Sequence, residues 1–280
     1  MNIETAIITG TKVLKERLIP TPSLDSEILL AKVINKDRKY VVLNSKKKIS
    51  KKNFISFQRL IFKRSLRKPI AYLTKKKFFW KSEFYVTEDA LIPRPDTEIL
   101  IESIISLTKF KNKLNILDIG VGSGCILLSI LKERKNFYGT GIDISKECLK
   151  ISKINAKNLN LSLRLKLFKT NVDKFNYGKY DIIVSNPPYI NKHKIKYLEK
   201  DVAKYEPNLA LNGGFDGLSE ISKVINKSSK LLKKNGKLVL EIGFDQKSKV
   251  VNLLKKKGFY INNIKKDHAN NDRCIVSTKI

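Results

Sequence analysis

The stretch Asp118-Ile-Gly-Val-Gly-Ser-Gly124 decides the fold of this chain, because it places three glycines between an apolar strand at 114–118 and a helix at 125–132. Glycine has no Cβ, so such a turn lets the backbone approach a ligand closely at the helix N-terminus. A related loop holds the pyrophosphate of NAD, and a glycine turn alone does not identify its ligand. The binding residues that the turn predicts are Gly120, Val121, Gly122, Ser123 and Gly124.

Strand and helix patterns alternate on both sides of this loop. Alternation at this spacing predicts an α/β fold, with a doubly wound, mostly parallel sheet and right-handed crossovers. In such sheets the ligands lie at the carboxyl ends of the strands. The predicted strands are 114–118, 137–143, 161–167, 180–185, 236–241, 258–264 and 273–277, and helices are predicted at 125–132 and 145–158.

Asp143 ends the second predicted strand, and a carboxylate there, about 20 residues after a glycine loop, can accept both hydroxyls of a ribose. The loop itself has G-x-G-x-G spacing, with Asp118 two residues ahead of the first glycine. The alternative role for Asp143 is to cap the next helix together with Ser145.

A second motif, Asn186-Pro-Pro-Tyr189, follows the strand at 180–185. The Asn186 side-chain oxygen and the Pro187 carbonyl can each accept one hydrogen of a planar NH2 group, and the Tyr189 ring can stack on that group. Pro187 and Pro188 fix their own φ and supply no N–H, so the two acceptors are preset. The alternative is an ordinary turn after a strand.

The segment before the sheet has a different period. Apolar residues recur at helical spacing from the N-terminus to about residue 66. Within this segment, Ser23 is the expected cap of a second helix. A β-hairpin is predicted around 78–86, and the proline-rich strap Leu91-Ile-Pro-Arg-Pro-Asp-Thr-Glu98 follows, with Asp96 as a helix cap. We therefore predict a helical recognition domain at 1–70, a hairpin linker at 71–90 and a catalytic domain at 91–280.

Composition indicates a globular protein, with 42% hydrophobic residues and no apolar run long enough for a signal peptide or a membrane span. We expect a cytoplasmic protein without membrane association. The three cysteines are scattered and there are only two histidines, which argues against a metal site and against a disulfide framework.

The formal charge of +31 has two interpretations. A strongly basic surface can bind nucleic acid. The lysines are, however, spread from end to end among many isoleucines and asparagines, as in a genome-wide compositional drift. Composition does not separate these alternatives.

The combination of Asp118 to Gly124 with Asp143 resembles the class I S-adenosylmethionine-dependent methyltransferases. The resemblance implies that the 120–124 backbone packs on the methionine and ribose moiety of S-adenosyl-L-methionine and that Asp143 binds the ribose. By the same resemblance Asn171, after the third strand, lies near the adenine, although neighbouring polar residues could take that place. The resemblance also implies that Asn186 contributes to cofactor binding and that Asn186, Pro187, Pro188 and Tyr189 bind the methyl-accepting substrate.

Nearly the whole chain resembles the bacterial release factor glutamine methyltransferase family, also called PrmC or HemK. That family usually has glycine where Lys75 stands and an acid where Phe78 stands. The motifs that carry the resemblance are Pro69-Ile-Ala-Tyr72, Phe79-Trp80, the strap Leu91 to Glu98, Asp118 to Gly124, Asn186-Pro-Pro-Tyr-Ile190, Glu206-Pro with Ala210-Leu211, Gly213-Gly-Phe-Asp-Gly217, and Glu241-Ile-Gly with Gln246.

The resemblance implies methylation of a glutamine side-chain nitrogen in the Gly-Gly-Gln motif of peptide chain release factors, with Asn186, Pro187 and Tyr189 as the catalytic residues. The tetrapeptide itself does not distinguish glutamine N5 from adenine N6, since both carry a flat NH2. An adenine-N6 DNA or RNA methyltransferase is therefore the main alternative. A non-catalytic RNA-binding protein on the same fold is a further one.

Overall fold

The computed structural model describes residues 1–280 and divides into two compact units. The helical unit comprises Met1–Lys76 and Glu199–Tyr205, and the sheet unit comprises Lys77–Leu198 and Glu206–Ile280. No local sequence signal assigned 199–205 to the helical unit. The domain boundaries at residues 70 and 90 remain a prediction.

The chain forms eleven α-helices and nine strands. The helices are α1 Ile3–Glu16, α2 Pro22–Val33, α3 Arg38–Leu43, α4 Lys51–Ser65, α5 Ile70–Thr74, α6 Glu98–Leu107, α7 Cys125–Glu133, α8 Lys146–Asn158, α9 Lys200–Tyr205, α10 Ser219–Leu231 and α11 Lys247–Lys256. The strands are β1 Lys76–Phe79, β2 Ser82–Tyr85, β3 Asn115–Ile119, β4 Tyr138–Asp143, β5 Leu165–Lys169, β6 Tyr180–Ser185, β7 Leu232–Glu241, β8 Phe259–Lys266 and β9 Asp272–Lys279. No helix is long and apolar enough to cross a membrane.

The helical unit is built on side-chain caps and an apolar core. The side chains of Asn2 and Ser50 accept hydrogen bonds from backbone N–H groups in the first turns of α1 and α4, which satisfies donors that helix ends leave free. The predicted cap at Ser23 is wrong, because α2 begins one residue earlier, at Pro22, a residue favoured in the first turn. The fully buried core includes Leu14, Leu29, Leu30 and Phe57.

The helical unit also buries a charge cluster. Arg64 of α4 donates from Nε to Asp25 Oδ2 at 2.7 Å and from Nη1 to Asp201 Oδ2 at 2.6 Å, and its side chain is 7% exposed. Burial alone lowers the pKa of Arg64, but the hydrogen bonds and charges of Asp201 and Asp25 outweigh it and raise that pKa. Each buried charge here has an opposite partner.

The sheet unit contains a seven-stranded sheet in the order β5-β4-β3-β6-β7-β9-β8. Neighbours from β5 to β7 are parallel, and β9 is antiparallel to both β7 and β8. Alternate residues of the central strands face opposite layers: Ile116 joins the core formed with α6 and α7, and Leu117 joins the core formed with α10 and α11. The predicted α/β fold, with its doubly wound and mostly parallel sheet, is confirmed.

One predicted strand differs from the structure, and the conformation of Lys75 is a second local feature. The strand expected at 161–167 begins only at Leu165, because 162–164 is a 3₁₀ turn in which Arg164 N–H donates to the Leu161 carbonyl. Lys75 ends α5 with φ of 60° and ψ of 28°, in the left-handed region. Glycine adopts that region without strain, whereas residues with a Cβ such as lysine rarely do.

Candidate active site

A cavity of about 670 Å³ lies in the sheet unit, at the carboxyl ends of β3, β4, β5 and β6. Nine of the predicted site residues line it: Gly120, Val121, Gly122, Ser123, Asp143, Asn171, Asn186, Pro187 and Pro188. Gly124 and Tyr189 are not part of the lining. The register of β3 and β6 aligns Ile119 with Ser185, and the Ser185 hydroxyl donates to the Ile119 carbonyl at 2.7 Å. Both motifs therefore leave the sheet side by side.

The loop needs glycines because of their backbone conformation more than because a side chain would lack space. Gly120, Gly122 and Gly124 have φ of 79°, 54° and 82°, which residues with a Cβ adopt only under strain. A Cβ on Gly120 would meet nothing within 4 Å, so its φ alone requires glycine. At Gly124 a Cβ would come within 3.0 Å of Leu128 Cδ1, which gives that residue a packing role instead of a place in the cavity.

Asp143 anchors the glycine loop and the backbone before α8, and its role in binding a ribose remains a prediction. One carboxylate oxygen accepts the Gly122 N–H and the other the Ser145 N–H, each at 2.9 Å. Burial raises the pKa of Asp143, and these backbone bonds counteract the rise only in part. Each carboxylate oxygen can accept more than one hydrogen bond, so Asp143 retains acceptor capacity towards the cavity.

Asn171 also has a structural role beside its place in the lining. Its Oδ1 accepts the Asp173 N–H at 2.9 Å and caps the 3₁₀ turn Val172–Lys174. A role near an adenine remains a prediction.

The Asn186 side chain is oriented by a single hydrogen bond. Its Nδ2 donates to Thr97 Oγ1 at 3.2 Å. Neither Asn186 Oδ1 nor the Pro187 carbonyl accepts a hydrogen bond from any protein group, although both residues line the cavity. Two consecutive residues of the cavity lining therefore each carry an acceptor oxygen without a protein donor.

The loop Gly213-Gly-Phe-Asp-Gly217 braces the tetrapeptide. A Cβ on Gly213 would lie 2.8 Å from the Pro188 carbonyl, and one on Gly217 would lie 2.4 Å from the Tyr189 carbonyl. Gln246 Nε2 donates to the carbonyls of Tyr189 at 3.0 Å and Gly217 at 3.1 Å. These glycines are required by close backbone contact.

Tyr189 points away from the cavity lining. Its ring packs against the core beneath α10 and α11, and its hydroxyl donates to Glu241 Oε1 at 3.2 Å. Burial is the main reason why the pKa of Tyr189 is raised. Stacking of this ring on a substrate amide remains a prediction.

The strap before α6 is tied to the Glu206 loop. Arg94 forms an ion pair with Glu206, whose other oxygen accepts the Ile92 N–H at 3.3 Å. Asp96 is not the cap that was predicted, since it lies within the 3₁₀ turn Pro95–Thr97 and α6 begins at Glu98. Thr97, placed by this turn, contacts Asn186 and was missed from the sequence.

Two buried carboxyl groups lie near the strand ends. Asp118 is fully buried, neither of its oxygens has a hydrogen-bond partner, and burial with the nearby charge of Asp143 raises its pKa to about 8. Burial likewise raises the pKa of Glu241 to about 7. Glu241 was noted only as part of a motif, because burial is not visible in the sequence.

Comparisons with known proteins agree with this geometry. The chain matches the family models of the PrmC N-terminal domain at residues 5–74 and the methyltransferase small domain at residues 95–215. Among solved structures, a methyltransferase from Pyrococcus furiosus superposes with a TM-score of 0.52 at 20% identity, over 79% of this chain and 97% of that one. That likeness supports the fold.

The curated relatives are more similar. The release factor glutamine methyltransferase of Clostridium acetobutylicum is 38% identical, over 100% of this chain and 99% of the relative. That of Buchnera aphidicola subsp. Acyrthosiphon pisum is 39% identical over 93% of each chain. These relatives match over nearly their full length, and the N-terminal residues match the family model of the PrmC N-terminal domain. The chain therefore belongs to the release factor glutamine methyltransferase family.

Proposed function

We propose that this protein transfers the methyl group of S-adenosyl-L-methionine to the side-chain nitrogen of the glutamine in the Gly-Gly-Gln motif of peptide chain release factors. One observation carries the proposal: Asn186 and Pro187 both line the cavity, and neither Asn186 Oδ1 nor the Pro187 carbonyl accepts a hydrogen bond from a protein group. A primary amide has two N–H donors, which match these two acceptors.

The residues around the cavity fit the proposed cofactor. The positive φ angles of the glycine loop allow close backbone approach, and Asp143 has remaining capacity to accept hydrogen bonds from ribose hydroxyls. Asn171 lines the same cavity and is the residue proposed to contact the adenine. When bound, S-adenosyl-L-methionine would supply an electrophilic methyl group on its sulfonium.

The chain's own contribution is positioning and electrostatics. An amide nitrogen is a weak nucleophile, because its lone pair is delocalised into the carbonyl group. Two fixed acceptors hold both N–H hydrogens, orient the nitrogen and stabilise the positive charge that develops on it as the new bond forms. No side-chain base is required in this scheme, since the acceptors are neutral and the proton can leave after transfer.

Replacing Asn186 tests the clamp. We expect Asn186→Ala to lower turnover on a release factor by about 100-fold or more, as loss of one electrostatic contact does elsewhere. Binding of S-adenosyl-L-methionine, measured by calorimetry, should persist. Asn158→Ala, at an exposed site in α8, is the matched control. Near-normal turnover of Asn186→Ala would refute the clamp.

The acceptor is tested directly by labelling. The protein is incubated with methyl-labelled S-adenosyl-L-methionine and, in separate reactions, a purified release factor or adenine-containing nucleic acid. We expect label on the glutamine of the release factor. Label on nucleic acid alone would establish the adenine-N6 alternative. Salt-sensitive RNA binding without any transfer would indicate a non-catalytic protein.

A further inference from the structure

The amino ends of β3, β4 and β5 lie at the edge of the sheet opposite the cavity, because these strands are parallel and the cavity lies at their carboxyl ends. Three connections reach this edge: 108–114 before β3, 134–137 before β4 and 159–164 before β5. A parallel strand rises about 3.3 Å per residue, so the 5 residues of β3 separate this edge from the cavity by roughly 15 Å. A ligand bound at this edge leaves the cavity open.

Two arginines hold the three connections together. Arg134 donates from Nη2 to the Ile105 carbonyl at 2.7 Å and from Nε to Thr108 Oγ1 at 3.3 Å, which ties the second connection to the end of α6. Arg164 donates from Nη1 to the carbonyls of Arg134 at 2.9 Å and Phe137 at 3.3 Å, which ties the third connection to the second. The connections therefore form one surface instead of three independent loops.

The charges on this surface are all positive. Its three connections contain no acidic residue, and their basic residues are Lys109, Lys111, Lys113, Arg134, Lys135 and Arg164. The four lysines are exposed and form no ion pair, whereas other lysines of the sheet unit, such as Lys81 and Lys233, pair with an acid. The unpaired ammonium groups are available to bind phosphates.

Two exposed aromatic rings lie among these lysines. Phe110 is 88% exposed, and Tyr138, at the first position of β4, is 45% exposed. Lys109 Nζ lies 5.4 Å from the centroid of the Phe110 ring, and Lys113 Nζ lies 5.5 Å from that of the Tyr138 ring. An exposed ring beside an ammonium group offers a nucleotide a stacking partner for its base and a cation for its phosphate.

We call this surface the amino-end patch, and its members are Lys109, Phe110, Lys113, Lys135 and Tyr138. We propose that the amino-end patch binds single-stranded nucleic acid, with the lysines on the phosphates and the two rings stacked on bases. A single strand fits this chemistry better than a duplex, because its bases can leave the stack and reach a side-chain ring. The formal charge of +31 attracts the strand, and the patch is where it is held. This binding is independent of the proposed methyl transfer.

Removing the rings tests the stacking. The binding of a fluorescent oligouridylate of about 12 nucleotides to the protein is measured by anisotropy over a range of salt concentrations. We expect Phe110→Ala and Tyr138→Ala each to weaken binding by about 10-fold, the effect of losing one stacked base, without changing the salt dependence. Tyr260→Ala is the matched control, because Tyr260 is 62% exposed and follows another lysine run, 255–257. It should bind like the wild type.

Removing charge tests the location. In the double variant Lys113→Gln with Lys135→Gln, the slope of log K against log salt should become less negative by about 1.4, since each phosphate contact on a single strand contributes about 0.7. The control, Lys255→Gln with Lys256→Gln, removes the same charge from exposed positions of α11 and should leave the slope unchanged. Equal changes in the two double variants would overturn the proposal, because binding would then follow net charge alone.

Two other ligands complete the test. An RNA duplex of the same length should bind more weakly than the oligouridylate, and Phe110→Ala should not affect its binding. Vesicles of equal parts phosphatidylcholine and phosphatidylserine should bind Phe110→Ala and the wild type alike. Vesicle binding that Phe110→Ala abolishes, with oligouridylate binding intact, would assign the patch to a membrane surface and refute the proposal. Wild-type affinity of both ring variants for the oligouridylate would refute it as well.

Discussion

The helical unit pairs the charges of its buried cluster, whereas the sheet unit also buries two acids with unpartnered oxygens. In the helical unit, Arg64 lies between Asp25 and Asp201 with short hydrogen bonds to both. In the sheet unit, both oxygens of Asp118 and one oxygen of Glu241 are buried without a partner. In the helical unit, the ion pairs replace the hydration that the charged groups lose on burial. In the sheet unit, the buried carboxyl oxygens lose their hydrogen bonds to water without a replacement.

This difference separates a structural role from a functional one. A buried and fully paired ion cluster fixes the geometry of its side chains. Removing one partner leaves the remaining charges uncompensated and lowers the free energy of unfolding. Underpaired acids at the carboxyl ends of a sheet have perturbed pKa values, as groups in active sites often do. Variants in the helical unit should therefore change stability, and variants beside the cavity should change binding, turnover or the response to pH.

The largest expected effect in this comparison is on stability. Arg64→Ala leaves Asp25 buried without a cation and leaves Asp201 with only Arg67, whose Nη1 lies 3.9 Å from Oδ1, and we expect the free energy of unfolding to fall by about 3–5 kcal/mol. Urea denaturation, followed by circular dichroism, measures the change. The control is Arg38→Ala, which removes an exposed pair with Glu27 and should cost about 1 kcal/mol or less. Equal losses of unfolding free energy in the two variants would show that the buried cluster contributes no more to stability than the exposed pair.

The next effect is on cofactor binding. Asp143→Ala removes a carboxylate that anchors the Gly122 N–H and faces the cavity. We expect the Kd for S-adenosyl-L-methionine, measured by calorimetry, to rise by about 10- to 100-fold, as when a charged hydrogen-bond acceptor is lost. Asp143→Asn keeps an oxygen for the loop and should bind more tightly than Asp143→Ala. An unchanged Kd in both variants would exclude Asp143 from the ribose site.

The smallest effect is a change in the pH dependence of stability. The folded protein holds the Asp118 proton up to pH about 8, whereas the unfolded chain releases it above the ordinary aspartate pKa of 3.8. The contribution of Asp118 to stability is therefore fully present below that lower value and is lost as the pH rises through about 8. Between pH 6 and pH 7, the free energy of unfolding should therefore fall by about 1 kcal/mol more in the wild type than in Asp118→Asn.

Urea denaturation of the cofactor-free protein at the two pH values measures this term. Glu241 contributes a decline of the same sign, because its pKa is also raised. In Asp118→Asn, the change of the free energy of unfolding with pH should thus be smaller than in the wild type but still present. A slope identical to that of the wild type would mean that Asp118 is not protonated in the folded state near neutral pH.

Local patterns in the sequence predicted the fold and the backbone parts of the site. The glycine turn, Asp143 and the tetrapeptide each follow a strand, and parallel strands bring their carboxyl ends together. The failures at Ser23, Asp96 and the strand at 161–167 are shifts of a few residues at element ends, where propensities are weak.

The supporting contacts could not be predicted in the same way. Thr97 and Asn186 are far apart in the sequence, and so are Arg64 and Asp201. Nothing in the local pattern around Glu241 indicates that it is buried with one unpartnered oxygen. Such pairings depend on side-chain packing between distant segments, which periodicity does not specify.

The close contact of Gly213 and Gly217 with the Pro188 and Tyr189 backbone has a consequence for substrate recognition. Together with the two prolines, it removes the conformational entropy of the tetrapeptide when the protein folds, before any substrate arrives. Binding then needs to immobilise only the incoming amide and its loop. The enzyme can thus recognise a flexible peptide segment with few contacts, because one side of the interface is already rigid.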